Sequence, residues 1–314
     1  MGAQPGMAVS IGWRLKRRTQ RLIFAIAVSA LGSLAGSVRA DIVFYQPLVR
    51  DQHLTTAQWQ QILTSAQQQG MTALALQWGQ HGEVAFYAET GPAAALLAAV
   101  EQMKLPLWLG LYADPLYFQT ITATGTDKKK YFKQQLNLSL EVRRKWLGYI
   151  ARHPLQLQGW YFPMELNDTD FTDAAYVHWL RAELKRIAQV LEEPLAISLY
   201  YHDVVPVKDW LAAAEQIAES KLQLWVQDGY GVTQAQSNRA LLLTQLPCSF
   251  SVIAEQFKQV SAPDEIFRAR PLTPEEQQQQ SRSCHPRILF ELRYMPAAEG
   301  LLPLTDPIKA ELNP

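Results

Sequence analysis

Beyond residue 40 the chain alternates short runs of apolar, β-branched and aromatic residues with longer stretches in which apolar positions recur at helical spacing. The runs that read as strands are 42–46, 73–77, 107–112, 157–163, 196–201, 222–227, 249–255 and 288–293. Successive strand ends lie about 35 residues apart, the length of a strand, a loop, a covering helix and a return. Strict alternation of this kind implies a parallel sheet, and eight units imply a closed (β/α)8 TIM barrel in place of an open doubly wound sheet.

The intervening stretches carry their own helix signals. Thr55 and Gln58 fit a capping box, Trp59, Ile62, Leu63 and Ala66 form an i, i+3, i+4, i+7 stripe, and Gly70 stands where that helix should stop. Gly91-Pro92 opens a second, alanine-rich helix; 131–152 and 172–191 carry a third and a fourth, each ending before a proline. The spans 206–220 and 234–246 give two more. Thr273-Pro274-Glu275-Glu276 is a further N-cap signature, followed by a glutamine run that suits a solvated face. The eighth helix, around 307–312, reads as abbreviated.

The first forty residues follow a different pattern. Arg14, Lys16, Arg17, Arg18 and Arg21 precede an uncharged, mostly apolar stretch over 22–36, and Val38-Arg39-Ala40 supplies small residues at the positions a signal peptidase reads. The expectation is a signal peptide over 1–40, cut before Asp41, and a single barrel domain over 41–314, delivered to the periplasm or secreted. The competing reading is a membrane anchor, but the apolar stretch falls short of the roughly 20 residues that span a bilayer. With no lipid-attachment cysteine after the cut, no stable membrane anchor is expected to remain. The paired Arg17-Arg18 fits the twin-arginine route poorly, so ordinary secretion is expected.

Removing 1–40 changes the charge balance. The full chain is neutral, with 29 basic and 29 acidic residues; the mature part keeps 23 basic residues against all 29 acidic ones, a net charge of −6. That excess argues against nucleic acid or an anionic membrane as partner. In an oxidising compartment Cys248 and Cys284, which precede neighbouring strands seven and eight, are placed to form a disulfide; two separate thiols are the alternative.

In barrels of this class the chemistry sits at the C-terminal ends of the strands. The polar and aromatic residues found there are Gln46, Gln77 with Trp78, Tyr112, Glu165, Tyr201, Gln227 with Asp228, Glu255, and Glu291 with Arg293. Glu165 and Glu255 stand out, because each ends an apolar run and strands four and seven lie across the barrel mouth from one another. Two facing carboxyls are what glycosidic cleavage requires, one to protonate the leaving oxygen and the other to attack or stabilise the oxocarbenium-like centre. The bland alternative is a pair of rim salt bridges, for instance to Arg293. Aromatic residues near strand ends (Trp78, Tyr112, Tyr161, Tyr200, Tyr201, Trp225, Tyr230) suit the apolar faces of pyranose rings. Trp59, Trp146, Trp179 and Trp210 fall on helical stripes, and Trp108 and Trp160 read as facing the helix layer.

The segments Phe44-Tyr45-Gln46-Pro47, Leu76-Gln77-Trp78-Gly79, Leu109-Gly110-Leu111, Gly159-Trp160-Tyr161-Phe162-Pro163-Met164-Glu165, Val226-Gln227-Asp228-Gly229 and Ala254-Glu255 carry a resemblance. Over about 42–294 the chain resembles an uncharacterised family of exported bacterial barrels classed with the glycoside hydrolases, domain of unknown function 4434. The resemblance implies a TIM barrel and a carbohydrate substrate. Acidic residues on strands four and seven are also the arrangement of the large retaining glycosidase clan, which would make Glu165 the acid/base and Glu255 the nucleophile. The chain departs from that clan at Met164, where an asparagine is usual. The hydrogen bond to the sugar 2-hydroxyl would then come from elsewhere, with Gln77 or Gln227 as candidates.

Other chemistries find less support. The six histidines form no H-E-x-x-H pattern, and neither a G-x-S-x-G elbow nor a phosphate-cradling glycine loop is present. No metal and no cofactor are expected. Asp228 is the one carboxylate that can replace Glu255, unless Asp228-Gly229 is simply a turn. Two readings follow: a hydrolase that cleaves an oligo- or polysaccharide by a two-glutamate, retaining mechanism, or a non-catalytic barrel that binds a polysaccharide and assists its export.

Overall fold

The computed structural model describes residues 41–218, 221–232, 238–262, 265–280 and 284–304. The expected signal peptide over 1–40, the expected short helix at 307–312 and the start of the helix expected from 234 lie outside the described residues. The described residues form one compact unit.

Eight parallel strands close into a barrel: β1 Asp41–Tyr45, β2 Met71–Leu76, β3 Pro106–Gly110, β4 Gln156–Asn167, β5 Leu195–Tyr200, β6 Leu222–Gln227, β7 Ser251–Glu255 and β8 Arg287–Phe290. Each pairs with its neighbours in sequence, and β8 returns to β1 with Ile42 opposite Ile288. The covering helices include α1 Thr56–Gln68, α2 Ala94–Met103, α3 Lys128–Ile150, α4 Ala174–Val190, α5 Val207–Ile217, α6 Arg239–Gln245 and α7 Pro274–Gln279. The capping boxes at Thr55/Gln58 and Thr273/Glu276 are formed, Trp59, Ile62, Leu63 and Ala66 are buried, and Gly70 takes a φ of 105° that a side chain would resist.

Side chains alternate between the helix layer and the barrel interior with period two. One residue from each strand (Phe44, Ala75, Trp108, Tyr161, Ala196, Trp225, Ile253, Ile288) packs into an interior layer separate from the larger helix-side core. Half of the layer is aromatic: Tyr161 stacks on Trp225 at 5.4 Å, and Trp108 meets Trp225 edge-on at 5.1 Å. Trp108 therefore faces inward, contrary to the expectation from sequence. It lies two residues before Gly110, in phase with the positions that face the mouth. Trp160 does face the helix layer, where its Nε1 donates to Glu193 and Arg143 covers its ring. Trp225, read as a sugar platform, is instead fully buried in the interior layer.

Cys248 and Cys284 are joined in a disulfide with a Cα–Cα distance of 5.4 Å, just before β7 and β8. Closing a loop of that length contributes about 3–4 kcal/mol on the chain-entropy model, at the end of the barrel away from the strands' C-termini.

Candidate functional site

Two residues beyond the interior layer, the same parity brings a second ring to the C-terminal mouth: Gln46, Gln77, Gly110, Ser198, Gln227, Glu255 and Phe290. Strand β4 reaches this ring by an irregular route. Phe162 pairs with Ile197 but Glu165 pairs with Ser198, so Pro163 and Met164 form a bulge. Proline cannot donate to the ladder, and such bulges re-aim the following side chain. On β3 the ring position is a glycine because a Cβ there would collide with the backbone of Trp78.

The ring opens into a cavity of about 290 Å³ floored by Phe44, Tyr161 and Ile253. Gln46, Gln77, Trp78, Glu165, Ser198 and Gln227 line it, together with His81, Asp114, Tyr117, Phe118 and Phe290. Trp78 is pinned by a 3.0 Å bond from its Nε1 to the Pro47 carbonyl and stacks on His81 at 4.6 Å. Asp114 accepts from the Tyr131 hydroxyl at 2.8 Å and from Gln135 at 3.3 Å. The Gln77 Oε1 is shielded from solvent and has no hydrogen-bond partner.

Glu165 accepts a hydrogen bond from Gln227 Nε2. Burial pushes its carboxyl up to about 7; the Gln227 bond opposes that rise and the charge of Asp170 adds to it. Glu255, only 3% exposed, lies in phase with Ile253 but outside the cavity lining. Its Oε2 accepts from the Gly231 N–H at 2.5 Å. A Cβ on Gly231 would come within 2.9 Å of that oxygen, so glycine is what permits the approach. Burial first, and then the charge of Asp228, raise Glu255 to about 8, against the pull of Gly231 and Arg239. Neither glutamate is a rim salt bridge to Arg293, which instead pairs with Asp51 and Glu291.

The structure separates the remaining candidates from the cavity. Tyr112 lies past β3, in a small sheet with Gln80–His81 and Val84–Ala85. Tyr201 is buried, its hydroxyl donating to Asp203 and to the Val205 carbonyl. Asp228 accepts from the Tyr230 N–H at 2.9 Å, with Gly229 at a φ of 58°, and its carboxylate lies 3.6 Å from Arg239; it is the turn that Asp-Gly favours. Glu291 and Arg293 are buried against each other beyond the end of β8. Conversely, reading only the ends of the barrel strands missed His81, which reaches the cavity from the small sheet, Asp114, which follows that sheet's strand Tyr112–Ala113, and Ser198, which sits two residues before its strand ends.

Residues 41–285 match the family model described as Domain of unknown function (DUF4434). The chain belongs to this family. Among the relatives of DUF4434 proteins such as this one is the uncharacterized protein YbcH of Escherichia coli (strain K12), 29% identical over 280 residues, covering 83% of this chain and 92% of that protein. A solved structure from Bacteroides thetaiotaomicron, described as a "putative alpha-L-fucosidase", is similar with a TM-score of 0.56 at 16% identity. It covers 81% of this chain and 87% of its own. At that identity the likeness is one of fold.

Proposed function

We propose that the protein is an exported glycoside hydrolase acting on an oligo- or polysaccharide. Glu165 serves as general acid/base and Glu255 as the second carboxyl. The observation that carries this reading is Glu165 itself: a cavity-lining carboxyl with a pKa near 7, able both to give a proton and to take one back. The N–H of Gly231 on Glu255 stabilises the anion that a nucleophile must become. The Bacteroides barrel's description as an alpha-L-fucosidase candidate is consistent with this class.

The test is hydrolysis of a panel of chromogenic glycosides, with product anomers followed by NMR to establish retention. The rate should follow a bell in pH whose limbs lie near 7 and 8, where Glu165 and Glu255 exchange their protons. It falls as pH drops and the attacking carboxyl takes up a proton, and falls as pH rises and the acid loses its own. An optimum near pH 4–5, the range of exposed carboxyls, would contradict the assignment.

One observation favours the non-catalytic alternative, a barrel that binds a polysaccharide during export: Glu255 does not line the cavity. Binding without turnover at every pH would establish it. Export itself predicts that protein recovered from the periplasm begins at Asp41; an intact mass that includes residues 1–40 would refute it.

A further inference from the structure

The cavity's lining narrows what enters it. Among the described residues no lysine or arginine lines it, whereas Glu165 and Asp114 do, and burial lowers the pKa of His81, which favours its neutral form. An acidic sugar would bring a carboxylate into a partly desolvated space whose described lining offers carboxyls and no cation to pair with it, an arrangement that like-charge repulsion disfavours. The floor and one wall (Phe44, Leu48, Tyr161, Ile253, Phe290) are apolar, and the volume lies at the lower end of small-ligand pockets. The space suits the end of a glycan better than its interior.

One polar atom here has no hydrogen-bond partner among the described residues. Gln77 Oε1, at the end of β2, is buried and unpaired while the side chain lines the cavity. A buried acceptor without a donor is a cost that a ligand hydroxyl can remove. Trp78 beside it is fixed by its bond to Pro47 and by stacking on His81, so the aromatic wall next to that polar atom is held in one orientation.

We propose that the cavity is the subsite for a single uncharged terminal sugar ring, that Gln77 Oε1 accepts a hydroxyl of that ring, and that Glu165 and Asp114 turn acidic sugars away. This rests on the glycoside hydrolase reading for its ligand class but makes a separate claim about charge and about Gln77.

The experiment is ligand-observed NMR on the purified protein with methyl glycosides of glucose, galactose, mannose and fucose, and with methyl glucuronide and methyl galacturonide. At least one neutral glycoside should bind, each uronide more weakly than its neutral counterpart. Gln77→Ala and the similarly long, apolar Gln77→Met should each weaken binding about tenfold, with unfolding midpoints measured alongside to confirm the fold. A uronide that binds better than its neutral counterpart, no binding by any glycoside, or binding indifferent to both variants would overturn the proposal. Turnover separates the two claims. Binding in the expected pattern without hydrolysis sinks the enzyme and keeps the subsite, whereas hydrolysis of a uronide keeps the enzyme and sinks the subsite.

Discussion

Glu165→Gln is expected to lose about 10²–10⁴-fold in turnover on any glycoside the protein cleaves, because the amide keeps the shape of the carboxyl and cannot supply a proton. Affinity for the sugar should change little, since the lost interaction belongs to the transition state. Glu255→Gln should show a comparable loss. The charge balance offers a control against the objection that these variants merely unfold. The native state holds Glu255 at about 8, above its ordinary value of 4.5, so the stability linked to its proton is fully present in acid and is lost as pH rises through about 8. Replacing it with glutamine should leave the unfolding midpoint unchanged near pH 4 and raise it near pH 9. A Glu255→Gln variant that is more stable in alkali but inactive identifies a functional carboxylate. One that is fully active removes Glu255 from the mechanism.

The fold was legible because two periodicities, two for the strands and 3.6 for the helices, alternate eight times with little interruption. The sites on the rim were less legible, and the reason is parity. Alternation assigns a side only while the ladder lasts. Gln46, Gln77 and Gln227 lie one ladder step beyond Phe44, Ala75 and Trp225, and they reach the cavity. Tyr112 lies past the end of β3, in the small sheet, whereas Tyr201 is out of phase with Ala196 and Ser198 and packs in the helix-side core. Glu291 and Arg293 lie beyond the ladder: the apolar run in the sequence extends to residue 293, but β8 stops at Phe290 and Leu292–Tyr294 form a turn of 3-10 helix. His81, in a two-residue strand beyond β2, and Asp114, just after Tyr112–Ala113, are announced by no local pattern.

Electrostatics were less legible still. That apolar runs four and seven lead into glutamates is plain from the chain; that burial and Asp228 together lift Glu255 above Glu165 depends on the segment after β6 folding against the end of β7. The order matters for mechanism. With Glu255 holding its proton the more tightly, the form in which Glu165 is protonated and Glu255 ionised is a minor one near neutral pH. A rate that is modest at its maximum is expected even if the chemistry is efficient.

The largest stability effect is expected at Arg293, which serves the seam of the barrel and not its cavity. Its side chain is wholly buried, with Nε donating to Glu291 at 2.5 Å and Nη2 to Asp51 at 2.9 Å and to the Gln46 carbonyl at 3.1 Å. Nη1 donates to the Pro303 carbonyl at 3.0 Å. Glu291 in turn accepts from the Gln46 N–H, and Asp51 from the Tyr45 hydroxyl, so one cation ties the end of β1 to the segment after β8. Arg293→Met would fill much of the same volume but leave two buried carboxylates uncompensated, a loss of about 3–5 kcal/mol. In urea this should appear as a lower midpoint with an unchanged slope. The loss should be greater near pH 8 than near pH 5, because carboxylates stripped of their cation are raised in pKa and take up protons as pH falls. Adding Asp51→Asn and Glu291→Gln to the same chain should recover much of the stability by removing the stranded charges. A loss below about 1 kcal/mol, or no recovery in the triple variant, would show that the seam is held by its apolar neighbours and that the ion cluster is incidental.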